Sequence, residues 1–220
     1  MVLSNETIEV LKNFATINAN IACTTDKVLK TVGVSKNIMA KSPILEEFPY
    51  DFGIYDLPEF LSAVGMFEDP ELAFDENKKF VAISNGTSSI KYFFSEIGNL
   101  VVAKNEPKMP DSAVKFNITH EQLMTIRKAS SALNVPSMVV TPNGSSEVDL
   151  TVTDTSNNTS NEFKLSVRSN GSIESEFSFV FNINNFKFSN SDAYAFDVSS
   201  KSIASVTAGD TLYWLALDNK

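Results

Sequence analysis

The order of predicted elements in this chain occurs twice. Each half starts with an amphipathic helix, continues through several short strands and a second short helix, and ends in a hairpin. The two copies are offset by roughly 115 to 125 residues, which indicates an internal duplication. We therefore predict two similar domains, an N-terminal domain over residues 1–108 and a C-terminal domain over residues 109–220.

Capping residues mark the helices of the first half. Ser4 is a candidate N-cap, and apolar side chains of residues 8–15 then fall on one face of a helix. Asp56 is a second candidate N-cap, followed by apolar residues at helical spacing over residues 57–67, before Pro70 ends the pattern. Each helix therefore has one apolar stripe that must be buried.

Short β-branched and aromatic stretches predict the strands of the first half. They lie between residues 21 and 55, and again in a hairpin of residues 80–84 and 89–94 around Asn85-Gly86. Residues 95–112 keep neither a helical nor a strand period, so we interpret them as the connector between the domains.

The second half repeats this plan. Thr119 and Gln122 form a predicted capping box at the start of a third helix. A β-rich stretch over residues 137–181, a very short fourth helix within residues 182–188 and a hairpin within residues 203–217 complete the copy. The predicted fold class is α+β, with antiparallel sheets covered on one face by two short helices in each domain.

Residues suited to catalysis are scarce. The single histidine, His120, falls in the first turn of a predicted helix, and Cys23 has apolar neighbours. The chain also lacks a glycine-rich phosphate loop. We predict no enzyme activity, no catalytic residue and no cofactor. The acidic residues 68–76 lack the spacing of a calcium loop and favour a solvated loop, although a hydrolase that uses this run stays open as an alternative.

The charge of the chain restricts its partners. With 18 Lys and Arg against 27 Asp and Glu, the net charge is -9, which argues against tight sequence-independent binding of nucleic acid. The first 20 residues contain no continuous apolar run, so we predict no secretory signal and no membrane span. A single cysteine fits a reducing cytoplasm, and the sequence predicts no metal site.

Basic residues lie on or beside the wet face of three of the four predicted helices. These residues are Lys12, Arg127, Lys128 and Lys187. On the pattern alone, ordinary surface cations are the simplest explanation.

Three stretches of this sequence resemble a known family. They are residues 11–18 (LKNFATIN), residues 54–57 (IYDL) with Phe60 and Leu61, and the connector from Val101 to Val114 with its prolines at 107 and 110. Together they are similar to the DNA polymerase sliding clamps of T-even-type bacteriophages. The likeness is strong over residues 1–20, 51–61 and 100–135, and faint in most of the C-terminal half.

The resemblance implies a DNA clamp fold that assembles as a homotrimeric ring around duplex DNA. Such a ring tethers the replicative DNA polymerase, is opened by an ATP-dependent clamp loader, activates late transcription and acts in the cytoplasm of the infected bacterial host. Lys12 lies inside a matching stretch, and Lys128 falls where the family has a basic residue. Arg127 and Lys187 are added as DNA-facing candidates from the predicted geometry alone.

A ring of this kind needs two complementary strand edges on each subunit. Candidate edges are residues 90–94 on one subunit and residues 163–167 on the next. The interface residues we predict are Ile90, Tyr92, Phe94, Phe163, Leu165 and Val167. Partner tails are expected to dock as extended peptides in an apolar pocket near the connector, with Val101, Val102 and Met109 as candidates.

A second hypothesis from another class stays open. Aromatic strands joined by turns rich in Ser, Asn and Thr are also typical of a β-rich virion structural or adhesin-like protein. The two hypotheses differ in assembly and in partner.

Overall fold

The computed structural model describes residues 1–173 and 176–218. These form two compact units, Met1–Glu106 and Pro107–Lys220, whereas the sequence prediction places the boundary after residue 108. The helices are α1 (Asn5–Ile17), α2 (Leu57–Val64) and α3 (His120–Leu133). Among the described residues, no helix has the length and apolar character needed to span a bilayer.

Among the described residues, the first unit contains seven strands and the second contains eight. Those of the first unit are β1 (Ile21–Cys23), β2 (Val28–Val32), β3 (Ile38–Pro43), β4 (Phe52–Ile54), β5 (Glu71–Phe74), β6 (Phe80–Ser84) and β7 (Ser89–Phe93). Those of the second are β8 (Val114–Thr119), β9 (Ser137–Asn143), β10 (Glu147–Thr153), β11 (Phe163–Arg168), β12 (Phe179–Asn182), β13 (Ala193–Ser199), β14 (Ile203–Ala208) and β15 (Thr211–Ala216).

The two units repeat one topology. In the first unit, four antiparallel strands follow the order β4-β1-β2-β3, and β5-β6-β7 form a second set. In the second unit, the corresponding orders are β12-β9-β10-β11 and β8-β13-β14-β15. A helix precedes the first of the four strands in each unit. The prediction of two similar domains is therefore confirmed.

Met1 pairs with β5 at the place that β8 occupies beside β13 in the second unit. The Met1 ammonium group donates to the Leu72 carbonyl at 3.0 Å, and the Leu72 amide donates to the Met1 carbonyl at 2.7 Å. Leu72 lies on β5, which holds the place that β13 holds in the second unit, and β8 pairs with β13 along six residues. One residue of the N-terminus thus pairs where the second unit has a whole strand.

The predicted caps start all three helices. The Ser4 hydroxyl accepts from the Thr7 amide at the start of α1, and the Asp56 carboxylate accepts from the Glu59 amide at the start of α2. Both hydrogen bonds of the predicted capping box form at the start of α3. Helix α2 ends at Val64, earlier than the apolar spacing to residue 67 predicts.

The fourth helix predicted within residues 182–188 is wrong, because this segment contains only a 3-10 turn, Ile183–Asn185. The Asn182 side chain accepts from the Asn184 amide, so an asparagine side chain takes a backbone donor. Phe186 and Phe188 are both buried, although residues two apart point to different sides of a helix. Local hydrogen bonding and aromatic burial therefore favour an irregular path.

Three strands were absent from the sequence prediction. They are β5, β8 and β13. Strand β5 lies inside the acidic run that the sequence predicts as a solvated loop, and its Leu72 is buried while Glu71 is exposed. The acidic residues therefore border a strand that is part of the sheet.

Candidate functional site

Lys12 and Lys128 are exposed on helices. Lys12 lies on α1 with its side chain 58% exposed, and its ammonium group pairs with the Glu9 carboxylate at 2.8 Å. Lys128 lies on α3, on the side opposite the buried Leu123 and Ile126. Both ammonium groups are accessible to a polyanion, although Lys12 already shares an exposed ion pair that is weak in water.

Arg127 has a different environment from its neighbour Lys128. Its guanidinium donates a short hydrogen bond to the carbonyl oxygen of Phe186, just beyond the 3-10 turn. Burial lowers the pKa of Arg127 from its ordinary value, and the side chain borders a cavity with Ser130 and Asn184. The Arg127 side chain therefore reaches from α3 to the segment after the turn. One of its guanidinium N–H groups is already bound to the Phe186 carbonyl.

Lys187 lies two residues after the 3-10 turn and is half-buried. Its backbone amide donates to the Asn185 carbonyl at 2.8 Å. The residue is therefore not on a helix, contrary to the sequence prediction, and its backbone follows an irregular path set by the buried Phe186 and Phe188.

The helices together carry no excess of positive charge. Their cations are Lys12, Arg127 and Lys128, and their acids are Glu6, Glu9, Glu59 and Glu121. Helices of this composition attract a polyanion weakly, because strong binding needs many uncompensated cations.

The outer edge of β7 has no strand partner among the described residues. Ile90 and Tyr92 pair with the fully buried Ile83 and Val81 of β6, and so continue its buried face. They are only half-buried, because the sheet ends there. The Tyr92 hydroxyl donates a hydrogen bond to the Asp56 carbonyl at 3.0 Å, which fixes the side chain. Burial raises the pKa of Tyr92 to about 12.

Strand β11 ends its sheet in the same way within the described ranges. Leu165 and Phe163 pair with the fully buried Leu150 and Val152 of β10, yet both are half-buried. Val167, which pairs with Val148, is buried. Both predicted strand edges therefore exist, with half-buried apolar side chains along β7 and, apart from the buried Val167, along β11.

Phe94 differs from the other predicted interface residues. It lies one position beyond β7, and its amide donates to the Lys79 carbonyl at 2.9 Å. Its ring centroid is 4.4 Å from that of Phe52. Phe94 thus packs against the rings of Tyr50, Phe52 and Phe74 and supports the edge from inside the first unit.

A groove between α2 and the edge of β7 was not predicted. Its volume is about 630 Å³, and it is lined by both elements. Three large apolar side chains beside it are mostly exposed, Tyr55 at 67%, Met66 at 72% and Phe93 at 65%. Sequence spacing gave no signal for them, because period and propensity identify buried faces rather than uncovered ones.

The connector residues predicted to bind partners have mixed exposure. Val101 is 39% exposed, whereas Val102 and Met109 are half-buried. The Val101 amide donates to the Asn20 side-chain oxygen at 3.1 Å, and the Asn18 side chain donates to the Val101 carbonyl at 2.8 Å. The connector is therefore fixed at Val101 by two asparagines.

The two residues considered for catalysis, His120 and Cys23, both contact or lie within the interior of the fold. His120 Nδ1 lies 3.3 Å from the Tyr194 hydroxyl, and burial raises the pKa of the Cys23 thiol to about 12. Within residues 1–173 and 176–218, no three His, Cys, Asp or Glu side chains are grouped to hold a metal ion.

Solved structures show which class of fold these units define. The proliferating cellular nuclear antigen of Entamoeba histolytica superposes with a TM-score of 0.72 over 97% of this chain and 95% of its own, at 12% identity. A PCNA2–PCNA3 complex from Sulfolobus tokodaii gives a TM-score of 0.68 over 99% of this chain and 97% of that chain, at 13% identity. The fold is that of a DNA clamp.

Sequence relatives narrow the class to a family. A model described as DNA polymerase processivity factor matches residues 4–97. The sliding clamp of Vibrio phage KVP40 is 31% identical over 82% of this chain and 83% of its own length. Those of Escherichia phage RB69 and Enterobacteria phage T4 are 31% and 29% identical over 64% of this chain, and the match spans 62% of each. The chain belongs to the sliding clamp family of T4-type phages, as its sequence resemblance predicts.

Proposed function

We propose that three copies of this chain join head to tail in a ring that encircles duplex DNA and holds the replicative DNA polymerase on its template. The observation that carries the proposal is the pair of open strand edges, β7 in one unit and β11 in the other. A chain with one edge of each kind can join its copies by heterologous contacts, which close when the rotation between subunits allows it.

The subunit interface proposed here pairs β7 of one copy with β11 of the next. Ile90 and Tyr92 would then meet Phe163, Leu165 and Val167, so that the buried faces of two sheets become continuous. Burial of apolar surface that both strands leave half-covered favours the contact. Pairing also satisfies backbone groups that an open edge leaves to water.

The main DNA-facing residues proposed are Lys12 and Lys128. Lys187 and the guanidinium N–H groups of Arg127 that do not bind Phe186 are proposed as additional phosphate contacts. A clamp must slide, so its phosphate contacts should be few, because each strong contact holds it at one place. The net charge of -9 and the balanced charge of the helices agree with a ring that holds DNA by encirclement.

The partners proposed are the polymerase, an ATP-dependent clamp loader and late-transcription factors, all in the cytoplasm of an infected bacterium. Val101, Val102 and Met109 remain the predicted docking residues for their tails. Tethering requires no bond to be made or broken, so the role proposed is not enzymatic.

Two measurements test this function. Sedimentation equilibrium should give three times the chain mass of 24.2 kDa. Addition of the clamp and a loader to the polymerase of the same phage should lengthen the products made on primed circular DNA. A stable monomer that leaves product length unchanged would contradict the proposal and return attention to a virion structural protein, which the family membership does not favour.

A further inference from the structure

Two lysines face each other on the outer face of the first unit. Lys30 of β2 and Lys41 of β3 are directly opposite in the antiparallel register. Their neighbours Leu29 and Ser42 are buried on the other side of the sheet. Like charges directly opposite on paired strands are destabilising, so this arrangement needs an anion to offset it.

A carboxylate from the connector provides that anion. Glu106 Oε1 lies 2.7 Å from the Lys30 ammonium nitrogen, and Oε2 lies 2.9 Å from that of Lys41. Hydrogen bonds from both lysines lower the pKa of Glu106. One carboxylate therefore spans both ammonium groups, which is the geometry of a built carboxylate site occupied by the protein itself.

The ion pairs that fill this site are exposed and exchangeable. The three side chains are each between 34% and 39% exposed. Ion pairs at such positions are weak, because water solvates both charges well. Further back along the connector, the Asn18 side chain donates to the Val101 carbonyl and the Asn20 side-chain oxygen accepts from the Val101 amide, so Val101 is held independently of Glu106. The Glu106 side chain can therefore leave the lysines while the connector stays attached at Val101.

We propose that Lys30 and Lys41 form a binding site for a carboxylate of an extended acidic peptide of the DNA polymerase, and that Glu106 occupies this site until the peptide replaces it. The proposal rests on the proposed function, in which the polymerase docks near the connector. Binding of the peptide would keep both lysines neutralised and would release the Glu106 end of the connector.

A peptide fits this site better than nucleic acid does. The two ammonium groups are bridged by one planar carboxylate, whereas a DNA strand needs a row of cations matched to successive phosphates. Lys104, two residues before Glu106, is exposed, so this part of the connector carries a further cation in a chain of net charge -9. Acidic peptides are attracted to such a local cationic surface.

The test compares the affinity of the full-length polymerase of the same phage for variants of the intact clamp. Glu106→Gln removes the anionic charge that neutralises both lysines and should tighten binding by about 3- to 10-fold, whereas Lys41→Gln should weaken it by a similar factor. Glu76→Gln and Lys27→Gln make the same charge changes at exposed positions elsewhere and should leave the affinity unchanged.

The outcomes separate this proposal from the proposed function. If the polymerase binds the wild-type clamp but Glu106→Gln leaves its affinity equal or weaker, Glu106 only fastens the connector and the proposal is wrong. If Lys41→Gln reduces retention on DNA without changing the affinity for polymerase, the lysines serve nucleic acid, which also overturns it. Failure of the wild-type clamp to bind polymerase contradicts the proposed function itself.

Discussion

The guanidinium of Arg127 donates a hydrogen bond to the backbone carbonyl of Phe186, 59 residues further along the chain. This contact joins α3 to the segment that replaces the predicted fourth helix. The next residue, Lys128, is exposed on the same helix. Two adjacent cations on one helix therefore differ in role, one attached to the protein and the other available to solvent or DNA.

Arg127→Met should lower the free energy of unfolding by about 1 to 3 kcal/mol, because it leaves the carbonyl of the buried Phe186 without its charged donor. Lys128→Met, the matched control one residue away, should change it by less than about 0.5 kcal/mol. Chemical denaturation at one fixed protomer concentration measures both. Equal effects of the two substitutions would show that the bond to Phe186 contributes nothing.

Lys12→Ala combined with Lys128→Ala should shorten retention on DNA while leaving the oligomer intact. Each phosphate contact that is lost should also reduce the slope of log affinity against log salt by about one. A control with Lys27→Ala and Lys201→Ala removes the same charge from exposed turns. Unchanged loading and retention of the Lys12 and Lys128 variant would remove both residues from the DNA-facing surface.

Leu165→Asp should weaken self-association by at least about 30-fold, because a charged side chain would enter the apolar row of the proposed interface. Ile90→Asp should do the same from the opposite edge. Val34→Asp is the control, since Val34 is 72% exposed outside both edges. Sedimentation equilibrium measures the change, and circular dichroism verifies that each variant is folded. An unaltered oligomer in both edge variants would exclude β7 and β11 as the interface.

Glu46 should give the stability of the first unit an acid dependence. Burial acts to raise the pKa of Glu46, but hydrogen bonds from the Thr7 hydroxyl and the Ser4 amide hold it below its ordinary value of 4.5. The folded state then binds fewer protons than the unfolded state. The carboxylate therefore stabilises the fold above pH 4.5, and this contribution is lost as the pH falls through the lower folded-state pKa.

Glu46→Gln tests this dependence. At neutral pH the substitution should cost about 0.5 to 1 kcal/mol, a modest value because solvent screens a partly exposed carboxylate. The difference from wild type should shrink as the pH falls below 4.5, because protonation of the wild-type carboxyl removes its charge. A difference that is independent of pH would contradict a role for the Glu46 charge.

The parts of the fold that local chemistry determines were predictable from sequence. Capping by Ser4, Asp56 and Thr119 depends on side chains within three residues of the amide they bind, so each helix start was found. The hairpin turn at Asn85-Gly86 likewise has Gly86 at a φ of 87°, which glycine adopts readily.

The remaining elements depend on contacts that the sequence pattern does not contain. Strand β5 has a single buried residue, Leu72, within an acidic run, and it exists because β6 and Met1 pair with it. The segment after Asn182 has helix-like spacing but is irregular, because Phe186 and Phe188 both reach the core. The exposure of Met66 and Phe93 depends on which surfaces the folded chain leaves uncovered. The ion pairs of Glu106 form between segments that are far apart in the sequence.

Encirclement of DNA is the central claim, and its most direct test is retention of the labelled clamp on circular and linear DNA. The clamp loader of the same phage loads the clamp onto a singly nicked plasmid, and unbound protein is removed. The plasmid is then cut at a single site by a restriction enzyme. A ring that is threaded by the duplex should stay on the circle and leave soon after linearisation. Equal retention before and after the cut would show that the protein holds DNA by direct contact, and would contradict the account.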